Sequence, residues 1–437
     1  MSQYKKIIQD LAPKKLGLYG KLWIAFLLVV IAIAMYAYYQ QLTRGLAITN
    51  MRDYALWGVY ISNFVFFVAI SLVGSLVTAI LRLTGAKWST PITRISEVIA
   101  VAAIIMAGLT IIIDMGRPDR IYNIFLHGRL QSPIIWDVLV ISTYLFISCL
   151  LLYFPLLPDF AILKDHFKDK PRLSRWYGRL SLNWNGNPTQ VKIYNKSISI
   201  LSVMIIPVAF GIHTVTAWLF ATTYRPGWDS ANFGPYFIAG AFVAGAGAVV
   251  VFMYILRKVY SLENYITDKH FNNMGKLLAL LCLIYLYFNI NEYLVPAYKT
   301  TEEEADHLYG LFLGHYAPMF WSVIIGGLVL PVCVLVFKKG RKPLPLFIIG
   351  LMVVIGAWWK RFLIVTPTLL HPFLPIQGVP EAWHSYFPSL LEWLITFGTL
   401  ASALLIMTIL FIYLPVVPIH ETAEEMGALE HDKNETL

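Results

Sequence analysis

Ten apolar runs, each about 20 residues or longer, alternate with polar connections along the chain. They cover about residues 21–41, 54–82, 94–114, 133–156, 197–222, 234–257, 273–297, 316–337, 344–364 and 387–415. A run of roughly 20 apolar residues crosses a hydrocarbon core as a helix, because a lipid-facing segment must satisfy its own backbone hydrogen bonds. The pattern predicts an all-α integral membrane protein of ten transmembrane helices occupying residues 21–417. A basic, amphipathic N-terminal segment (1–20) precedes them, and a flexible acidic tail (418–437) follows. The first run, Leu22 to Tyr39, lacks a small-residue cleavage site and is longer than a signal h-region, so it is expected as a retained helix.

Composition agrees with this reading. The 437 residues are 58% hydrophobic and 14% charged, against roughly 25% charged in a soluble domain. A net charge of +9 would raise nucleic acid as a partner of a soluble protein, but here the basic residues follow the loops. Those flanking alternate helix ends, including Lys164 to Lys196 and Lys338 to Lys342, account for 25 of the 34 Lys and Arg residues. Basic loops stay in the cytoplasm, so both termini are expected there and nucleic acid drops out. The long basic loop 157–196 is expected to lie on anionic headgroups. Cys149, Cys282 and Cys333 stand singly within apolar runs and lack the spacing of a metal or iron–sulfur site.

Ionisable groups in a span cost roughly 2.5–3.5 kcal/mol each, so each demands a reason. Asn63, Asp114, Asp137, His213, Asn289, Glu292, Lys360, Arg361 and Glu392 nearly all fall in the outer third of their helices. The inner halves are nearly all apolar, with Glu97 the main exception. A transporter would place polar groups near the midplane, and a channel would line its whole path. A polar pocket open on one side suits a proton-coupled amphiphile such as a quinol, whose two hydroxyl protons a carboxylate and an imidazole can accept. Structural alternatives stand beside this. Asp114 and Arg117 would cap a helix and pair with each other, Asp137 would answer a helix dipole, and His213 would donate to a neighbouring carbonyl. A bound haem is not expected, because His213 is the only histidine deep in a span.

Several short segments carry a resemblance. They are Met51-Arg52-Asp53-Tyr54, Trp57 to Asn63, Ile113-Asp114-Met115-Gly116-Arg117-Pro118, Ser132 to Val138, His213-Thr214-Val215 and Phe233-Gly234-Pro235-Tyr236-Phe237. Together they resemble the NrfD/PsrC family of membrane quinone-interacting subunits, with the DsrP/HmeB-like and ActC-like branches nearest. The ActC branch carries a His before Met-Gly-Arg-Pro; this chain carries Asp114.

The resemblance implies two four-helix bundles, helices 2–5 and 6–9, with flanking helices. It implies menaquinone or another quinone as the cofactor, with no haem or iron–sulfur cluster held by the chain itself. Expected partners are an extracytoplasmic, ferredoxin-like iron–sulfur subunit, with a cytochrome c and further membrane subunits as additional candidates. Asp114, Asp137 and His213 are the expected catalytic residues. Arg117, Asn63, Trp136 and Tyr144 are expected to bind quinone, and Glu97, Glu292, Arg361 and Glu392 to mark a proton path. The expected setting is the cytoplasmic membrane of a bacterium or archaeon, in a respiratory oxidoreductase. The competing readings are a proton-coupled secondary transporter and a structural anchor without a working quinone site.

Overall fold

The computed structural model describes residues 3–428, apart from 84, 86, 300 and 375. The long helices are α1 (Leu18–Arg44), α2 (Val59–Leu83), α3 (Thr90–Asp114), α4 (Pro133–Tyr153), α5 (Pro188–Ala221), α6 (Phe233–Val259), α7 (Asp268–Lys299), α8 (Ala317–Leu335), α9 (Pro343–Leu369) and α10 (Leu390–Tyr413). Among the described residues nine are long and apolar enough to cross a membrane, and α2 carries a shorter apolar stretch, Val59–Gly74. Each of the ten expected spans falls on one of these helices. The protein is an all-α, multi-pass membrane protein.

Local chemistry sets the helix ends. Proline occupies the first turn of α3, α4, α5 and α9, where its missing N–H costs nothing. α10 opens with a capping box in which Ser389 and Glu392 exchange side-chain and backbone hydrogen bonds. Just past the end of α3, after the C-cap Met115, Gly116 has a φ of +64°, the left-handed stop that glycine favours.

Burial separates centre from rim. The apolar windows of α3 and α6 are each 72% buried, that of α1 only 11%, so α3 and α6 form the middle and α1 lies outside along α10. α2 packs against α3, α5, α6 and α9; α4 packs against α3 and α5; α7 packs against α6 and α8; α9 packs against α6 and α8. The centre is backbone-close because small residues line it, as in other membrane bundles. A Cβ on Gly74 would sit 2.0 Å from the Ser96 carbonyl oxygen, and one on Gly245 would sit 2.4 Å from Val73 Cβ.

The helices run alternately up and down, so the bundle has two ends. Asp114, Asp137 and the start of α10 lie at one, which we call the acidic end. The other, the basic end, holds the segment between α4 and α5. That segment, expected as a loop, contains two helices, Leu156–His166 and Pro171–Leu180. The N-terminal helix Gln3–Leu11 buries Ile7 and Leu11, and Tyr265 donates a hydrogen bond to Asp10 at 3.1 Å. The acidic tail does not leave the bundle at residue 418 as expected. Ile419–Glu425 is a helix with Ile419, Thr422 and Ala423 buried, while residues 429–437, including Lys433, lie outside the described residues.

Candidate functional site

Asp137 is one turn inside α4 because Ser132 takes extended geometry as N-cap and Pro133 starts the helix. There it meets α5. Thr216 donates its hydroxyl to Asp137 Oδ1 at 2.7 Å, and Asp137 and Thr216 are 3% and 1% exposed. His213 lies one turn earlier on the same face of α5 and is also buried. Its Nδ1 is 3.2 Å from the Ala209 carbonyl oxygen. A carbonyl only accepts, so Nδ1 carries the proton and Nε2 presents a lone pair. That Nε2 is buried with no hydrogen-bond partner among the described residues.

Asp114 has different neighbours. It ends α3 within electrostatic reach of Tyr60 and Glu392, and its Oδ1 is buried without a partner among the described residues. Around it Tyr60 donates to Gln41 Oε1 at 2.8 Å, and Gln41 donates to the Ile113 carbonyl at 2.8 Å. No hydrogen bond or ion pair joins Asp114 to Asp137 among the described residues.

Arg117 does not orient either carboxylate. The turn at Gly116 carries it away, and its guanidinium grips the Asp119 carboxylate at 2.9 and 2.8 Å on the exposed surface. That grip holds Asp119 below the usual carboxylate range. Three other expected binding residues are engaged in tying segments together. Asn63 accepts from Trp358 at 2.8 Å and donates to Thr396 at 3.0 Å, joining α2 to α9 and α10. Tyr144 is fully buried and donates to the Ser71 carbonyl at 2.6 Å. Trp136 donates its indole N–H to the Leu130 carbonyl, closing the loop before α4.

The four groups expected on a proton path occupy three places. Glu392 is held by donors: the Asn50 N–H at 2.9 Å, the Tyr386 hydroxyl at 2.6 Å, and the Ser389 N–H and hydroxyl at 2.8 Å each. Glu97 lies at the basic end, 3.2 Å from Arg82 and 3.6 Å from Arg94. Seventeen residues of α3 separate it from Asp114, roughly 25 Å at helical rise. Glu292 and Arg361 belong to a cluster on α6, α7 and α9. Ser230 donates to Glu292 at 2.8 Å, Arg361 stacks on Phe237 at 5.0 Å, and Lys360 bonds the Tyr293 hydroxyl and lies over the Tyr293 ring.

This cluster borders a small cavity lined in part by Tyr236, Glu292, Tyr293, Glu304 and His307, with room for single waters. Glu304 and His307 are not among the residues expected from the sequence. The signal is there all the same: residues 304, 307, 308 and 311 form one buried stripe of the helix Glu302–Phe312. Burial, with His371 nearby, pushes the His307 imidazole down to about 3. No group of three His, Cys, Asp or Glu able to hold a metal ion occurs among the described residues.

Similar proteins cover nearly the whole chain. A selenate reductase subunit of Mesobacillus selenatarsenatis is 24% identical over 91% of this chain and 94% of its own length. A putative dimethyl sulfoxide reductase membrane subunit of Halobacterium salinarum is 26% identical over 92% of each chain. The Hdr-like menaquinol oxidoreductase integral membrane subunit of Archaeoglobus fulgidus is 23% identical over 92% of this chain and 95% of its own. With its long apolar helices and such relatives, the chain is a multi-pass protein of a bacterial or archaeal inner membrane. The family described as polysulphide reductase, NrfD, matches residues 47–372, most of the chain, and the chain belongs to that family.

Proposed function

We propose that this chain is the quinone-binding membrane subunit of a multi-subunit respiratory oxidoreductase. It exchanges electrons between menaquinol or another quinone and an extracytoplasmic iron–sulfur partner, and protons at the outer face. Family membership and relatives that are oxidoreductase membrane subunits support the class. The observation that carries the site is a buried carboxylate on α4 together with, on the packed helix α5, a buried imidazole nitrogen that has no hydrogen-bond partner among the described residues. A buried polar atom without a partner is costly, and His213 Nε2 is such an atom, which fits a hydroxyl-bearing ligand.

A bound quinol supplies two electrons and two protons. His213, held by Ala209, offers Nε2 as an acceptor for one hydroxyl proton. Asp137, fixed by Thr216, offers the second acceptor. Asp114 stands apart among α1, α2 and α10, and we assign it to proton release toward the surface. The mutual contacts of α2 to α5, and of α6 to α9, support two four-helix bundles with the site in the first. The excess of basic residues at the opposite end supports placing both termini in the cytoplasm and the acidic end outside.

Asp137→Asn in the purified complex tests the assignment. Loss of a general base costs about 10²–10⁴ in rate, so menaquinol oxidation should fall at least a hundredfold with the complex intact. Oxidation at the wild-type rate and affinity would overturn it. Proton flux through the isolated chain in liposomes, with no quinone or partner, would favour a transporter.

A further inference from the structure

Four basic side chains crowd the basic end: Lys164 and Lys168 on and just after the helix Leu156–His166, and Arg175 and Arg179 on the helix Pro171–Leu180. They border an open groove of about 710 Å³. Lys168 pairs with Asp165 at 3.3 Å. Among the described residues no carboxylate comes within 4.0 Å of Lys164, Arg175 or Arg179. We propose that this groove binds the phosphate of an anionic glycerophospholipid from the surrounding membrane.

The groove is held in place before any ligand arrives. Pro171–Leu180 is sharply amphipathic: Arg172, Arg175 and Arg179 share one face, while Leu173, Tyr177 and Leu180 turn to the core. Tyr177 is buried between the rings of Phe160 and Phe167, at 6.0 and 5.8 Å, and donates to the Tyr413 carbonyl at 2.9 Å. Tyr153 donates to the Leu180 carbonyl at 2.7 Å. The second wall is fitted to the first. Ser174 donates to the Lys164 carbonyl at 2.9 Å, and the Lys164 stem lies against Gly178, Cδ being 3.5 Å from where a Cβ would stand. Two guanidinium groups on one face of an anchored helix suit the two oxygens of a phosphodiester.

Depth identifies the occupant as lipid rather than a soluble anion. The groove hangs on Tyr153 and Tyr413, the last residues of α4 and α10, and so lies where membrane helices end and headgroups begin. Trp176, 40% exposed, packs on Tyr413 as an interfacial anchor does. Leu182, 65% exposed at the groove's edge, offers apolar surface to an acyl chain.

The test is native mass spectrometry of the full chain in detergent, titrated with phosphatidylglycerol or phosphatidylcholine. Phosphatidylglycerol should bind in preference. Each basic residue near a membrane surface contributes about a fivefold gain in binding. K164Q/R175Q/R179Q should therefore lower phosphatidylglycerol affinity on the order of a hundredfold, and the single R179Q about fivefold. K338Q/K339Q/K342Q removes the same charge between α8 and α9 and should leave affinity within about twofold. Equal loss in that control would reduce the effect to diffuse attraction and overturn the proposal. Equal binding of phosphatidylcholine would overturn it too, as would displacement of the lipid by inorganic phosphate at equal concentration. An unfolded triple variant leaves the decision to R179Q, whose wild-type affinity would refute the groove.

Discussion

Replacing Thr216 with valine isolates the smallest part of the proposed site. The swap keeps shape and removes one hydroxyl, which donates to Asp137 Oδ1 at 2.7 Å in a setting where both residues are nearly inaccessible. Hydrogen bonds to charged acceptors contribute about 1.5–3 kcal/mol. If Asp137 acts as a base only while held in place, that energy is lost from the transition state. At about 1.4 kcal/mol per tenfold in rate, Thr216→Val should slow menaquinol oxidation by about ten- to a hundredfold. A hydroxyl that acts only by positioning the carboxylate should show its loss in kcat more than in KM. Thr216→Ser, which keeps the donor, should recover most of the rate. A merely structural threonine would give the opposite result: a lower unfolding temperature, an unchanged kcat and no rescue by serine. Retention of more than half the wild-type kcat by Thr216→Val would refute the positioning role.

Other outcomes separate structural from functional polar groups. Arg94 is fully buried and meets Asp159 at 3.3 Å and Glu97 at 3.6 Å. Arg94→Met leaves buried Asp159 without its cation and Glu97 with Arg82 alone, and should lower unfolding stability by about 3–5 kcal/mol, whereas Arg117→Ala, at an exposed pair, should leave the melting temperature unchanged. Glu392→Ala removes the carboxylate half of the α10 capping box and the acceptor for Asn50 and Tyr386; thermal unfolding should register about 2–3 kcal/mol, without a change in the pH profile of activity. His307 predicts acid sensitivity. Its folded pKa is depressed to about 3 by burial, against about 6.5 unfolded, so the unfolded state binds the extra proton between those values. Stability from this residue is complete above about pH 6.5 and falls by about 1.4 kcal/mol per unit as pH drops toward 3. Melting curves of His307→Leu should lack that slope between pH 6.5 and 5; identical slopes would refute it.

Much of the architecture was legible because it follows from the solvent. A run of apolar residues long enough to cross a bilayer becomes a helix whatever it packs against, so the ten expected spans fall on α1 to α10, though α5 starts nine residues earlier than expected. The segment 157–196 carries more structure than its charge suggests. Its spacing of Arg172, Arg175 and Arg179 opposite Leu173, Tyr177 and Leu180 is already a helical stripe. The acidic composition of the tail conceals a contact: Asp159 accepts the backbone N–H groups of Ile419 and His420 at 3.1 and 2.9 Å. Arg82 also pairs with Glu421 at 3.4 Å.

The sequence by itself determined which residues must have a reason to be in the membrane, since the cost of burying a polar group depends on the group and its depth alone. Only the tertiary structure decided what each reason was, because a hydrogen-bond partner can come from any helix. Asn63 found Trp358 and Thr396, Glu392 found its cap, and Arg117 found Asp119 two residues away. Asp137 found Thr216, on the same helix face as a histidine nitrogen with no partner among the described residues. Residues of equal promise in the chain were thus sorted into fasteners and candidate chemistry by geometry that no spacing encodes.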